Sequence, residues 1–118
     1  MSESDDRRGS SRVVLVTFTV DDPEVADALG QGCVAANLAA CAKRIGPISS
    51  AYRWEGELEQ AEEWQVVLTT TEEVVDELVA ALAARHPYEL PEILVTDVVG
   101  GLAPYLKWVG DEVRSNEG

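Results

Sequence analysis

Positive charge is scarce in this sequence. Nine Lys plus Arg face 22 Asp plus Glu, for a formal net charge of −13. So acidic a chain repels phosphate backbones and anionic headgroups, which argues against nucleic acid or a membrane surface as partner. Lysine is the rarest cation, at Lys43 and Lys107 alone. Low Lys beside abundant acid also fits a salty cytoplasm, where ions screen the repulsion. Cysteine is nearly as rare, and Cys33 and Cys41 cannot build the dense disulfide framework of a small secreted domain. No stretch approaches the roughly 18–20 apolar residues of a membrane-spanning helix. The start, MSESDDRRGSSR, lacks the apolar core of a signal peptide. A soluble cytoplasmic domain is the expectation.

Catalytic signatures are missing as well. His86 is the one histidine, and no Ser or Asp stands in a triad-like motif around it. Neither HExxH nor GxxxxGK[ST] occurs. Gly30-Gln-Gly32-Cys-Val-Ala35 spells a GxGxxG/A pattern, but it falls inside a predicted helix rather than at a strand-to-helix turn. These readings point away from an enzyme.

What is present suffices for one core. The chain has 118 residues, 46% of them hydrophobic, and a domain of that size buries roughly 65% of its unfolded surface. Residues 1–11 read as a disordered polar, acidic tail and 115–118 as a flexible end, leaving one domain over 12–114. Arg12 to Val20 is apolar on both parities, the pattern of a strand covered on both sides. Asp21-Asp22-Pro23-Glu24 starts a helix, with an Asp cap and Pro in the first turn. Val25, Leu29, Cys33 and Ala36 follow at helical spacing, then Ala40, while Gly30 and Gly32 suit close packing on a sheet. From Cys41 to Trp54 the pattern is extended, bent near Gly46-Pro47, and Glu62 to Thr71 returns after a turn over Glu55–Ala61. Thr70-x-x-Glu73 has the form of a capping box before the stripe Val74, Val75, Leu78, Val79 and Leu82. Glu92 to Val99 is the fourth strand. Pro104 opens a last helix with Leu106, Val109 and Val113 facing inward. The order βαββαβ plus a helix is that of a ferredoxin-like α+β sandwich with an extended hairpin.

The hairpin is too long for its domain. Ala40 to Trp54 is 15 residues, which at about 3.3 Å each reaches roughly 50 Å, against a body about 35 Å across. An overshooting arm exposes Tyr52, Trp54 and strand edges, and Trp64 on the returning strand is placed across from Tyr52. Copies of the same arm in a closed ring would cover them. Glu55, Glu57, Glu59, Glu62 and Glu63 crowd the turn and read as a solvated tip. The segment His86-Pro-Tyr88-Glu-Leu-Pro91-Glu92 is held extended by two prolines, which aims His86, Tyr88 and Glu92 in fixed directions.

Five collinear motifs carry a resemblance. They are Val14-Leu-Val-Thr17, Leu38-Ala-Ala-Cys41, Tyr52-x-Trp54-x-Gly56, His86-Pro-Tyr88-x-x-Pro91-Glu92 and Gly101-x-x-x-Tyr105-Leu-x-Trp108. Together they resemble the CutA family of divalent-cation tolerance proteins from about Val13 to Val113. The resemblance implies a ferredoxin-like subunit in a tight homotrimer, a role in metal tolerance, and copper as the ion bound. Glu92, His86 and Cys41 become the candidate metal ligands, and Tyr52, Trp54, Trp64, Tyr88 and Trp108 the candidate residues of an inter-subunit cleft. Some members carry a thiol where this chain has Val16, and a second histidine where it has Arg85, so weak metal binding at most is expected. The other reading is a small-molecule-binding signalling trimer that uses its inter-subunit clefts, similar to nitrogen-regulatory trimers. There too the sequence departs from relatives, which often have a lysine before the Thr pair of the third strand, where this chain has Leu68-Thr69-Thr70-Thr71.

Overall fold

Apolar side chains on both parities of Val13–Val20 build β1, the strand on which the sheet is organised. The computed structural model describes residues 12–113, so both expected tails and Arg114 lie outside the described residues. Seven elements follow in order: β1, α1 (Pro23–Ala35), β2 (Cys41–Trp54), β3 (Glu57–Thr71), α2 (Val75–Arg85), β4 (Ile93–Asp97) and α3 (Ala103–Glu112). The four strands lie in the order β2-β3-β1-β4, and every neighbouring pair is antiparallel. That is the ferredoxin-like arrangement expected from the element order. Val16, Phe18 and Val20 are fully buried and share one core with Leu68, Leu78, Leu82 and Val109.

α1 begins as the sequence indicates. The Asp22 carboxylate accepts the Glu24 N–H at 2.9 Å, and Pro23 opens the first turn. Its end differs from the expected run to Ala40. Asn37 adopts φ 62°, and the N–H groups of Asn37 and Leu38 donate back to the carbonyls of Val34 and Cys33 at 3.0 and 2.9 Å. This is a Schellman stop with Asn in the left-handed position. Ala36 is left exposed at the cap, while Leu38 and Ala39 turn back into the core. At Gly30 a Cβ would lie 3.2 Å from Ala42 Cβ and 3.4 Å from Val66 Cγ1, so glycine is what lets α1 close on the sheet. Gly32 has only the Arg85 guanidinium near it, at 4.0 Å, and serves no such contact.

The expected capping box does not form. β3 continues through Thr71, and Thr70 sits within it, fully buried, donating its hydroxyl to the Leu38 carbonyl at 2.6 Å. Val74 occupies the N-cap of α2 without a side-chain cap, and the helix is held by its buried stripe of Leu78 and Leu82. Tertiary pairing with β1 (Val13 to Thr71, Val14 to Thr70) outweighs the local signal. β4 is shorter than expected. α3 places Val109 and Val113 in the core.

The arm is longer than the sequence suggested, because its turn is tighter. Glu55 and Gly56 alone make it, with φ 51° and 84°, the pair of positive values that a two-residue hairpin turn requires. β3 therefore starts at Glu57, and the molecule measures 52 × 25 × 22 Å. The ladder is broken once, between Ile45 and Ile48, where Gly46 and Pro47 are joined by a cis peptide bond. Tyr52 consequently pairs with Glu59 and not with Trp64; Trp64 pairs with Val20 and packs against the core.

Candidate functional site

The linker from α2 to β4 fixes the site. His86 ends α2, its backbone N–H donating to the Leu82 carbonyl, and its ring turns inward to 7% exposure. There Nδ1 accepts the Tyr88 N–H at 3.1 Å, so Nε2 carries the proton and donates to the Thr19 carbonyl at 2.8 Å. The ring meets Phe18 edge-on at 5.8 Å and Tyr88 at 4.7 Å between centroids. Both nitrogens are thus engaged with the backbone.

Tyr88 carries the linker onto the sheet. Its hydroxyl donates to Glu63 Oε2 at 2.7 Å, and the Ser50 hydroxyl donates to Glu63 Oε1 at 2.7 Å. Glu63 is 6% exposed, so it does not belong to the solvated tip. Across the ladder Ser50 faces Ala61 and Ile48 faces Glu63, which sets Ser50 diagonally beside the carboxylate. Burial raises the Tyr88 pKa above the ordinary phenol range, and the hydrogen bond to Glu63 and the charges of Glu63 and Asp21 raise it further. Burial also pushes the Cys33 thiol up, opposed by Arg85, which makes it an inert core residue.

A cavity of about 610 Å³ opens beside this network, with Tyr52, Trp54 and Tyr88 as its aromatic wall and Asp21, Glu63, Glu89 and Glu92 as its acids. Three of the five aromatic residues singled out from sequence therefore meet here. Trp64 faces the core, and Trp108 stacks with Tyr105 on α3, 5.5 Å between centroids. Of the three candidate metal ligands, Glu92 lines the cavity and His86 lies behind its wall. Cys41 pairs with Thr69, which pairs with Leu15, four residues from Thr19 on β1; at about 3.3 Å per residue and two strands across, that is roughly 16 Å away. Within one subunit the three are not brought together, and among the described residues no group of three or more His, Cys, Asp or Glu could hold a metal ion. Sequence reasoning missed Glu63, Ser50, Asp21 and Thr19 as site residues. Only the strand register brings them together.

The site is built from two of the motifs noted in the sequence, Tyr52-x-Trp54 and His86-Pro-Tyr88, and comparison with known proteins finds chains similar over most of its length. A divalent-cation tolerance protein CutA of Escherichia coli is 38% identical over 110 residues, 93% of this chain and 98% of the relative. The crystal structure of CutA from Xylella fastidiosa superimposes with a TM-score of 0.84 at 35% identity, over 88% of this chain and 100% of that one. The structure of a protein from Archaeoglobus fulgidus described as the periplasmic divalent cation tolerance protein CutA gives 0.83 at 28% identity, over 86% and 99%. No helix among the described residues is long and apolar enough to cross a membrane. The pattern of the family described as CutA1 divalent ion tolerance protein matches residues 14–112, and with the fold and these likenesses it follows that the chain belongs to that family.

Proposed function

We propose that this protein is a non-enzymatic homotrimer of the cytoplasm that acts in the response to divalent cations, copper among them, with weak metal contact of its own. The carrying observation is His86, whose two nitrogens serve the Thr19 carbonyl and the Tyr88 amide. A general base or a firm copper ligand needs a free imidazole nitrogen. What contact there is falls to the exposed Glu92 carboxylate, with His86 or Cys41 joining only after rearrangement or across subunits. Calorimetric titration of copper into the tag-free protein should give a dissociation constant no tighter than about micromolar; stoichiometric copper surviving dialysis against a mild chelator would refute this.

The trimer is supported by the arm. Tyr52, Trp54 and Ile45 are 45%, 36% and 48% exposed on one face of a hairpin that outruns its body, a surface that proteins ordinarily cover. Light scattering should give three chains, and Trp54→Glu should give one or an aggregate, since it sets a charge in a packed interface. The free thiols of Cys33 and Cys41 support a reducing compartment; cell fractionation tests it against the periplasmic location of the Archaeoglobus relative.

The cavity favours a second reading, a small-molecule-binding signalling trimer with this cavity as part of its cleft. A thermal-shift screen of metals against metabolites separates the two, because a ligand of the native state raises the melting temperature.

A further inference from the structure

Opposite charges are too few to answer the acids of this protein, however they are arranged. Nine Lys plus Arg stand against 22 Asp plus Glu, so complete pairing would still leave the formal net charge of −13. Symmetry brings no relief. A second copy carries the same deficit to any interface, and a trimer holds −39, three times −13. Covering the arm between subunits changes which groups meet and leaves the sum as it was.

The fold spreads the excess over the whole molecule. Acids crowd residues 21–27 at the head of α1, 72–77 between β3 and α2, and 55–62 at the far end of the arm. The ion pairs found among the described residues are Arg44–Asp27, Arg12–Glu72 and Lys107–Asp111, all of them exposed. Exposed pairs contribute little. No group of three or more His, Cys, Asp or Glu among the described residues could hold a metal ion, so one bound ion does not relieve the repulsion. The ionic atmosphere is what remains to do so. Folding gathers these charges into a body of 52 × 25 × 22 Å, and self-repulsion of this kind opposes the compact state. The Debye length is about 30 Å at 0.01 M salt, which lets the acidic groups repel one another across that body. At 1 M it is about 3 Å, and even neighbouring carboxylates are screened. We propose that ionic strength governs the stability of this folded protein and its assembly, through screening of a distributed charge that no pairing neutralises, and that the protein is built for a salt-rich compartment. The part that concerns assembly rests on the proposed trimer.

The melting temperature of the full-length protein tests this, at one protein concentration and neutral pH, in sodium and potassium chloride from about 0.01 to 1 M. Both salts should raise it by more than about 5 °C, along a single curve. The variant Glu62→Gln/Glu73→Gln/Glu112→Gln removes three exposed acids, from the arm, from the turn before α2 and from the end of α3. It should melt above the parent at low salt and level with it at 1 M, a flatter curve. Each single substitution should give about a third of that gain, which keeps the test open if the triple variant fails to fold. A melting temperature indifferent to salt would overturn the proposal, as would parental steepness in the variants. A rise with one cation and not the other would assign the effect to a bound ion and overturn it as well. Light scattering in 1 M salt tests the trimer separately. A single-chain mass there would remove the trimer and leave the salt dependence of the subunit standing.

Discussion

Replacing His86 by alanine should destabilise the metal-free protein by about 3–5 kcal/mol. The truncation strands two backbone groups, the Thr19 carbonyl bonded at 2.8 Å and the Tyr88 amide bonded at 3.1 Å. Leaving a buried donor or acceptor unpaired costs about 1–3 kcal/mol each. The edge contacts with Phe18 and Tyr88, at 5.8 and 4.7 Å, contribute about 0.5–1.5 kcal/mol apiece. These contributions overlap, and water entering the hole recovers part of the hydrogen-bonding loss, so the lower third of the summed range is expected. Urea unfolding followed by tryptophan fluorescence, at matched protein concentration, measures it. His86→Phe keeps the ring contacts and loses both hydrogen bonds, so it should cost at least about 2 kcal/mol. Copper affinity of the folded His86→Ala variant should equal that of the parent. An unchanged urea midpoint together with lost copper affinity would make His86 a ligand and not a brace, and would refute the reasoning.

Leu82→Ala should cost about 2–5 kcal/mol, because Leu82 is 1% exposed in the core under α2; a parental denaturation midpoint would contradict that packing. Glu73→Ala should lie within about 0.5 kcal/mol of the parent, since Glu73 is exposed and the capping box is not formed; thermal unfolding checks this, and a loss above about 1 kcal/mol would restore the capping role. The Tyr88 phenol holds its proton more tightly folded than unfolded. Its stabilising contribution is whole below the unfolded pKa of about 10 and is lost as pH rises beyond it. The pH dependence of stability above that point should therefore be shallower in Tyr88→Phe, as denaturant midpoints across the alkaline range would show.

The elements were legible wherever a local signal and a tertiary need agreed. β1 is apolar on both parities because it is central, and Asp22-Pro23 caps α1 because nothing competes for that turn. Thr70-x-x-Glu73 misled because the same threonine is claimed by the sheet, and eight paired positions with β1 decide the contest. The Asn37 stop was readable in principle, since Asn tolerates left-handed backbone, but the alanines after it extended the helical spacing. At the site, Tyr88 and the aromatic arm stood out, since prolines and unusual length advertise them. Glu63 could not stand out among its neighbouring glutamates. What distinguishes it from Glu62 is the face it occupies, and that is known only once β2 is in register.

The broken ladder between Ile45 and Ile48 gives the hairpin two separate counting frames. Ile45 and Tyr52 have opposite parity in the chain, yet their partners Gln65 and Glu59 stand an even number of residues apart, so both lie on one face. The inner half of β2 is numbered from the core, through Cys41 opposite Thr69; the outer half is numbered from the Glu55–Gly56 turn, through Trp54 opposite Glu57. The irregularity at Gly46-Pro47 is where the frames meet. A one-residue deletion between it and the turn is absorbed by straightening the strand, and only the residues passed over change sides. Tyr52 and Trp54 keep their orientation because they are counted from the turn. The aromatic pair at the far end of the arm thus faces the same way with or without the extra residue of β2.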